Sequence, residues 1–157
     1  MYYIFVVNDV KKDHYRIEAE KIVDYLLNKK IWIFQDTYPL NRQIKKLKRS
    51  DKVIIYLAGQ KRMFFLGSFE IDGDIEQINF SASNEFEKNL LTGFKFYVPL
   101  KNIEIWSQKI FIKSILQDLQ FINNKQHWGM FFKQAIKSIP EEDYYNIISQ
   151  KEKPSKI

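Results

Sequence analysis

Residues 50–71, SDKVIIYLAGQKRMFFLGSFEI, carry the strongest structural signal in this sequence of 157 residues. Two runs of β-branched and aromatic residues, 52–58 and 63–71, lie on either side of a short polar segment, 59–62. Apolar runs of this length around a glycine-containing turn predict a β-hairpin. Gly67 interrupts the second run and predicts a bulge or bend, which a small barrel needs in order to curve.

Further strand and helix patterns precede and follow this hairpin. Residues 2–8 (YYIFVVN) and 31–34 (IWIF) predict two buried strands. Between them, apolar residues at helical spacing predict a helix over residues 13–29, with Asp13 as its N-cap. Residues 94–106 predict extended structure again, with Pro99 at a sheet edge or a strand break.

The last third of the chain is predicted to be mainly helical. Helical spacing recurs over residues 112–119, and Ser138 with Glu141 predicts a capping box that opens a final helix, with Pro140 in its first turn.

Residues 72–93 are polar and predict a long excursion over one face of the sheet. About five or six short strands with flanking helices predict an α+β fold built on a small mixed β-barrel. We expect one domain over residues 1–150 and a polar tail over 151–157.

Composition excludes several classes of function. The chain has no cysteine, which removes zinc ribbons, thiol nucleophiles and redox motifs and is typical of a reducing compartment, so a cytoplasmic location is expected. The N-terminus lacks the features of a signal peptide, and no apolar run approaches the roughly 20 residues of a spanning helix, so no membrane partner is expected. Nothing indicates a metal or cofactor. The formal net charge of +6 favours an anionic partner such as nucleic acid.

Three segments resemble the EVE domain family of the PUA-like superfamily. They are the hairpin at 50–71, FKFYVPL at 94–100, and residues 116–147, in which FINNKQHW matches the family's Phe-Ile-x-Asn-Lys-x-x-Trp signature and PEEDY matches its closing helix. Ser50 replaces a glycine that is usual in the family. The resemblance spans residues 1–148 and implies a pseudo-barrel flanked by helices, similar to the YTH domains that read methylated adenine in RNA. EVE relatives are associated with recognition of modified bases, often cytosine derivatives in DNA.

The resemblance implies a pocket that holds an extruded base. Trp32 occupies a strand position that forms part of the base pocket in EVE and YTH relatives, and Asn8 matches an asparagine that borders it. Each residue has a second interpretation, because Trp32 could be a core aromatic and Asn8 a cap or turn residue. Further aromatic candidates for the pocket, each of which could instead pack against the protein, are Tyr38, Phe80, Phe86 and Trp128.

A second set of residues is predicted to bind phosphate. The hairpin turn matches a basic position near phosphate in YTH relatives, and the loop before Trp128 offers backbone N–H groups that attract anions. The basic run 42–49 either adds to this positive potential or forms a solvated face. The predicted phosphate-binding residues are Arg42, Lys61, Arg62, Asn124, Lys125 and His127.

The leading hypothesis is a non-enzymatic module that recognises a methylated or related base of DNA or RNA, flipped into an aromatic pocket. An effector protein of a defence system is a further candidate partner. Two alternatives are an enzyme like the ASCH domains of the PUA-like superfamily, acting on nucleic acid or modified nucleosides, and a module that binds free nucleotides. An enzyme would need convergent lysine, carboxylate and hydroxyl groups, and the sequence does not identify such a set.

Overall fold

The computed structural model describes residues 1–59 and 61–151. Gln60 of the predicted hairpin turn and residues 152–157 of the predicted tail lie outside the described residues. The strands are β1 (Tyr2–Val7), β2 (Val10–Lys12), β3 (Tyr15–Ile17), β4 (Ile31–Gln35), β5 (Lys52–Leu57), β6 (Phe64–Ile71), β7 (Glu76–Gln77), β8 (Phe94–Phe111) and β9 (Ile136–Ile139). The α-helices are α1 (Ala19–Lys29), α2 (Tyr38–Ile44), α3 (Glu85–Leu91), α4 (Ile112–Ile115) and α5 (Glu141–Gln150), and Leu116–Asp118 and Trp128–Phe132 are 3₁₀ helices.

One mixed sheet organises the fold. Its strand order is β4-β8-β6-β5-β1-β9, with the short β7 also paired to β8, and β2 and β3 form a separate hairpin. β1 and β5 are parallel, whereas the other pairings in this order are antiparallel. The predicted α+β fold with a barrel-type sheet and flanking helices is therefore confirmed. In the described part of the chain, no helix has both the length and the apolarity needed to cross a bilayer.

The predicted hairpin forms from β5 and β6, and the bulge expected at Gly67 is present. The register of β6 against β8 shifts between Phe65 and Gly67. A Cβ atom at Gly67 would lie 2.4 Å from the backbone oxygen of Glu104 on β8. Glycine is therefore required here because the two backbones approach too closely for any side chain.

Pro99 marks a change of partner within a continuous strand, so the expectation that it lies at an edge or a break is wrong. β8 pairs with β4 through residues 94–99 and with β6 through residues 100–111. Proline has no N–H to donate to a ladder, so it is tolerated where one pairing ends and the next begins. By bonding two different neighbours along its length, β8 curls the sheet.

The two faces of the sheet bury separate apolar clusters. Phe5 points to the cluster that packs under α1, together with Trp32 and Phe69, whereas the adjacent Ile4 points to a second cluster. That second cluster includes Phe132 of the 3₁₀ helix at Trp128–Phe132 and buried side chains of α4 and α5. Alternate residues of a strand face opposite sides, so one apolar strand serves both clusters.

Two helix boundaries differ from the sequence-based predictions. The first helix begins at Ala19, because residues 10–17 form the β2–β3 hairpin and the Tyr15 hydroxyl donates to the backbone oxygen of Asn89, 2.9 Å away. Asp13 lies in the hairpin turn and is not an N-cap. The capping box is also wrong, since Ser138 pairs with Tyr3 inside β9 and Pro140 is the N-cap residue of α5.

Asp143, in the first turn of α5, anchors the loop that follows the first 3₁₀ helix, Leu116–Asp118. Its carboxylate is fully buried and accepts the backbone N–H groups of Gln120 at 2.8 Å and Phe121 at 2.7 Å. Without this carboxylate, both N–H groups would lose their acceptor within the protein. This aspartate is the fourth residue of the PEEDY motif, so the motif ties the last helix to the FINNKQHW segment.

Replacing Asp143 with alanine should lower the free energy of unfolding by about 2–4 kcal/mol, because it removes the buried carboxylate that accepts two backbone N–H groups. Urea denaturation measures the change. The matched control is Glu142→Ala, since Glu142 is an exposed neighbour on the same helix that bonds only the side chain of Gln120. The control should shift stability by less than about 0.5 kcal/mol. Equal losses for the two variants would contradict the anchoring role of Asp143.

Glu87 ties the long excursion back to α1. Its carboxylate is buried and accepts hydrogen bonds from the Ser83 hydroxyl and from the Tyr25 hydroxyl, the latter at 2.5 Å. Asn84 caps α3, the helix that carries Glu87, by accepting the Glu87 backbone N–H. The hydrogen bonds that the carboxylate accepts, first from Ser83 and then from Tyr25, lower the pKa of Glu87 to about 2.

The pKa of Glu87 predicts a pH-dependent contribution to stability. The folded value of about 2 lies below the unfolded value of roughly 4.3, so ionised Glu87 stabilises the fold above the unfolded pKa. That contribution should disappear as the pH falls from about 5 to 2. The difference in unfolding free energy between the wild type and Glu87→Gln should therefore shrink over this range in urea titrations. Glu85→Gln, at an exposed position on the same helix, is the matched control.

Candidate functional site

An open cleft lies between the two ends of the sheet. β4 and β9 are the last strands of the sheet order, and the cleft is lined from β4 on one side and from residues just before β9 on the other. The carboxyl end of β1, α1 and α2 complete its walls. Its volume of about 430 Å³ falls within the roughly 300–1,000 Å³ of small-molecule sites.

Trp32 forms part of the cleft floor and belongs to the core at the same time. Its side chain is almost fully buried, and its ring packs at tilted angles on Phe5 and Phe69, with centroids 5.8 and 5.3 Å away. The small remaining exposed part of the residue lines the cleft. Trp32 is therefore a core aromatic that also contributes to the lining of the cleft.

Asn8 and Asp9 form the wall at the end of β1. Asn8 is exposed at the cleft, whereas the Asp9 carboxylate is held by the Ala19 N–H at 2.9 Å and by Arg62 at 2.8 Å. Burial by itself would raise the pKa of Asp9, but the bonds from Ala19, Arg16 and Arg62 lower it overall. Asp9 is thus an ionised anchor that fixes the backbone beside Asn8.

Two segments form the mouth of the cleft, which we name the α2 lip (residues 37–43) and the 133–135 lip. They touch each other, because the Gln43 side-chain amide donates to the Gln134 side-chain oxygen and to the Ile136 backbone oxygen, both at 3.3 Å. Thr37 of the α2 lip and Gln35 at the end of β4 add further polar groups to the cleft lining. The mouth is therefore polar, whereas the floor is aromatic and aliphatic.

The structure brings Asn8 and Trp32 together and places the other predicted base-binding aromatics outside the cleft lining. Tyr38 is largely exposed, between the lining residues Thr37 and Pro39. Phe80 packs on Tyr97 and Phe86 packs on Tyr25, both away from the mouth. Trp128 contacts Phe132 in the second apolar cluster, which is the core interpretation of this residue.

The predicted phosphate-binding residues are similarly dispersed. The Arg62 guanidinium lies between the carboxylates of Asp9 and Glu20, with its Nη2 2.6 Å from Glu20, so its charge is already compensated. Lys125 donates to the backbone oxygen of Leu119, and Asn124 accepts the backbone N–H of His127. Lys61 and His127 are exposed outside the cleft lining, and Arg42 is exposed next to the lining residue Gln43.

Several cleft residues have no distinguishing signal in the sequence. Phe94 is a half-buried aromatic that lines the cleft opposite Gln35, its partner on β4. Its position at the start of an extended run is the only local signal, and that signal equally fits a core residue. Gln43, Lys133 and Gln134 were missed because their proximity depends on the docking of α2 against the segment before β9.

Comparison with known proteins identifies relatives of both kinds, by sequence and by fold. No protein-family model matches the chain. The chain is 29% identical over 109 residues to UPF0310 protein PH1033 of Pyrococcus horikoshii, which covers 64% of this chain and 73% of that protein. The name of that relative states no activity.

Solved structures match almost the whole chain. The human THYN1 protein, solved in complex with DNA containing 5-methylcytosine, superposes with a TM-score of 0.66 and 14% identity, covering 98% of this chain and 99% of that one. The N-terminal domain of McrB from Staphylothermus marinus superposes with a TM-score of 0.59 and 11% identity, covering 95% and 93%. At these identities the likeness concerns the fold alone, and it agrees with the α+β PUA-like fold that the sequence motifs indicate.

The two ion pairs of Arg62 predict a structural role. Arg62→Ala should lower the free energy of unfolding by about 1–3 kcal/mol, because it leaves Asp9 and Glu20 without their shared cation at a mostly buried position. Lys61→Ala removes an exposed neighbouring charge and should change stability by less than about 0.5 kcal/mol. Thermal and urea unfolding measure both variants. A neutral Arg62→Ala would show that the wall beside Asn8 does not depend on this network.

Proposed function

We propose that the chain is a nucleic-acid-binding module that holds one modified base, extruded from its strand, in the cleft between the α2 lip and the 133–135 lip. The observation that carries the proposal is the convergence of Asn8 and Trp32 on one open cleft of suitable volume. A likeness in fold to a protein solved with 5-methylcytosine DNA supports this choice of ligand.

The chemistry of the cleft suits a flat heterocycle with a polar edge. Phe94 is the half-buried aromatic residue of the lining, and the mostly buried Trp32 and Leu40 add apolar atoms to it. Stacking on an aromatic side chain contributes roughly 1–3 kcal/mol per base. A methyl group on the base gains contact with such surface, while amide groups at the mouth can bond the remaining edge.

Asn8 is the residue best placed to read the base edge. Asn8 is exposed at the cleft, and the neighbouring Asp9 is held in place by Ala19 and Arg62. The backbone next to Asn8 is therefore fixed, which limits the positions that the Asn8 side-chain amide can adopt. An amide carries both a donor and an acceptor, and it can therefore pair with either kind of group on a base.

The non-enzymatic interpretation is favoured over an ASCH-like enzyme. Among the lining residues of the described chain, the ionisable side chains are those of Asp9 and Lys133. Asp9 is occupied by Arg16 and Arg62, and Lys133 is exposed. A buried lysine beside a free carboxylate, which acid–base chemistry would use, is not among these lining residues.

Binding to a panel of oligonucleotides tests the proposal. The panel pairs each DNA or RNA strand carrying 5-methylcytosine, 5-hydroxymethylcytosine or N6-methyladenine with its unmodified twin. The wild type should bind at least one modified strand about tenfold more tightly, equivalent to about 1.4 kcal/mol. Mononucleotides are measured alongside, because tight binding without a polymer would favour the free-nucleotide module. Equal affinity across all pairs would overturn the proposal.

Phe94→Ala should weaken binding of the preferred strand about tenfold, because it removes the exposed aromatic surface of the cleft. The matched control is Phe96→Ala, a half-buried phenylalanine on the same strand that lies outside the cleft lining. The control should retain wild-type affinity, and thermal melts establish that both variants are folded. Equal effects of the two variants would show that the base does not contact Phe94.

A further inference from the structure

We infer that the mouth of the cleft carries a phosphate clamp, with Lys133 on the 133–135 lip, Arg42 on the α2 lip and Lys46 just beyond the α2 lip. These cations would hold the phosphates on either side of the nucleotide whose base enters the cleft. The inference rests on the proposed function and adds the residues that grip the strand.

Contact between the two lips brings these cations to one mouth. Gln43 and Gln134 both line the cleft and are joined by a hydrogen bond of 3.3 Å between their side chains. Lys133 precedes Gln134 and itself lines the cleft, and Arg42 precedes Gln43. Positive charge therefore approaches the opening from both sides.

The helical geometry of α2 selects Lys46 from among its basic neighbours. Pro39 and Gln43 are four residues apart, both line the cleft and thus share one helix face. The Lys46 N–H bonds the Gln43 carbonyl at 3.1 Å, so the turn continues past the end of α2 and places Lys46 on the same face. Arg42 follows Pro39 by three residues and borders that face. Lys45 falls on the opposite side.

The charges of these three cations are free to meet an anion. Arg42, Lys46 and Lys133 are exposed, and no carboxylate of residues 1–59 or 61–151 lies within ion-pair distance of them. By contrast, Arg16, Arg62 and Lys95 bond carboxylates of the protein. Phosphate contacts need uncompensated cations, because their affinity comes from releasing the counterions of the nucleic acid.

The clamp predicts a specific effect on salt dependence. Binding of a single-stranded oligonucleotide, modified and unmodified, is measured from 50 to 300 mM KCl, a range chosen to give a clear slope of log K against log salt. Lys46→Ala and Lys133→Ala should each reduce the magnitude of the slope by about 0.7. Each should weaken modified and unmodified strands by the same factor, since phosphate contacts carry no base information. Lys45→Ala is the matched control and should keep the wild-type slope.

Two outcomes separate this inference from the proposed function. If Lys46→Ala and Lys133→Ala keep the wild-type slope while the preference for a modified strand persists, the clamp is overturned and the proposed function stands. If the wild type shows no preference but the slope falls in these two variants and not in Lys45→Ala, the proposed function fails and the phosphate contacts at the lips are supported.

Discussion

The continuous pairing of β8 with two different strands is the constraint on which the rest of the structure depends. Its first part bonds β4 and its second part bonds β6, with the change of partner at Pro99. The sheet therefore curls, and its last strands, β4 and β9, come to border the same opening. Gly67 permits the close approach of β6 and β8 that this curvature demands. The cleft therefore forms where the curled sheet brings its two end strands, β4 and β9, to the same opening.

Buried carboxylates hold the irregular segments around this sheet. Asp9 accepts the first backbone N–H of α1, Glu87 bonds Ser83 and Tyr25, and Asp143 accepts two N–H groups of the loop at Gln120 and Phe121. In each case a loop that cannot satisfy its own backbone groups finds a side-chain acceptor. These acidic residues stabilise the fold, and two of them lie far from the cleft lining.

The excess of positive charge is informative only after ion pairing is considered. Arg62 belongs to the hairpin turn that first suggested phosphate binding, but Asp9 and Glu20 compensate its charge. Cations beside the cleft, such as Lys133, lack such partners among the described residues. A count of basic residues measures the total charge, whereas a site depends on which charges remain uncompensated.

The sequence by itself determined the hairpin and the barrel-type α+β fold, because apolar periodicity and local motifs depend on residues close in the chain. The choice of Asn8 and Trp32 came from the resemblance to EVE and YTH domains, and both residues do line one cleft. It could not place Phe80, Phe86 and Trp128, whose environments are decided by packing against distant elements. Only the tertiary structure brought Phe94, Gln43 and Gln134 to the cleft, since the two glutamines lie 91 positions apart in the chain and no local pattern connects them. Local patterns record which face of a strand or helix is apolar, and the meeting of two such elements depends on the fold as a whole.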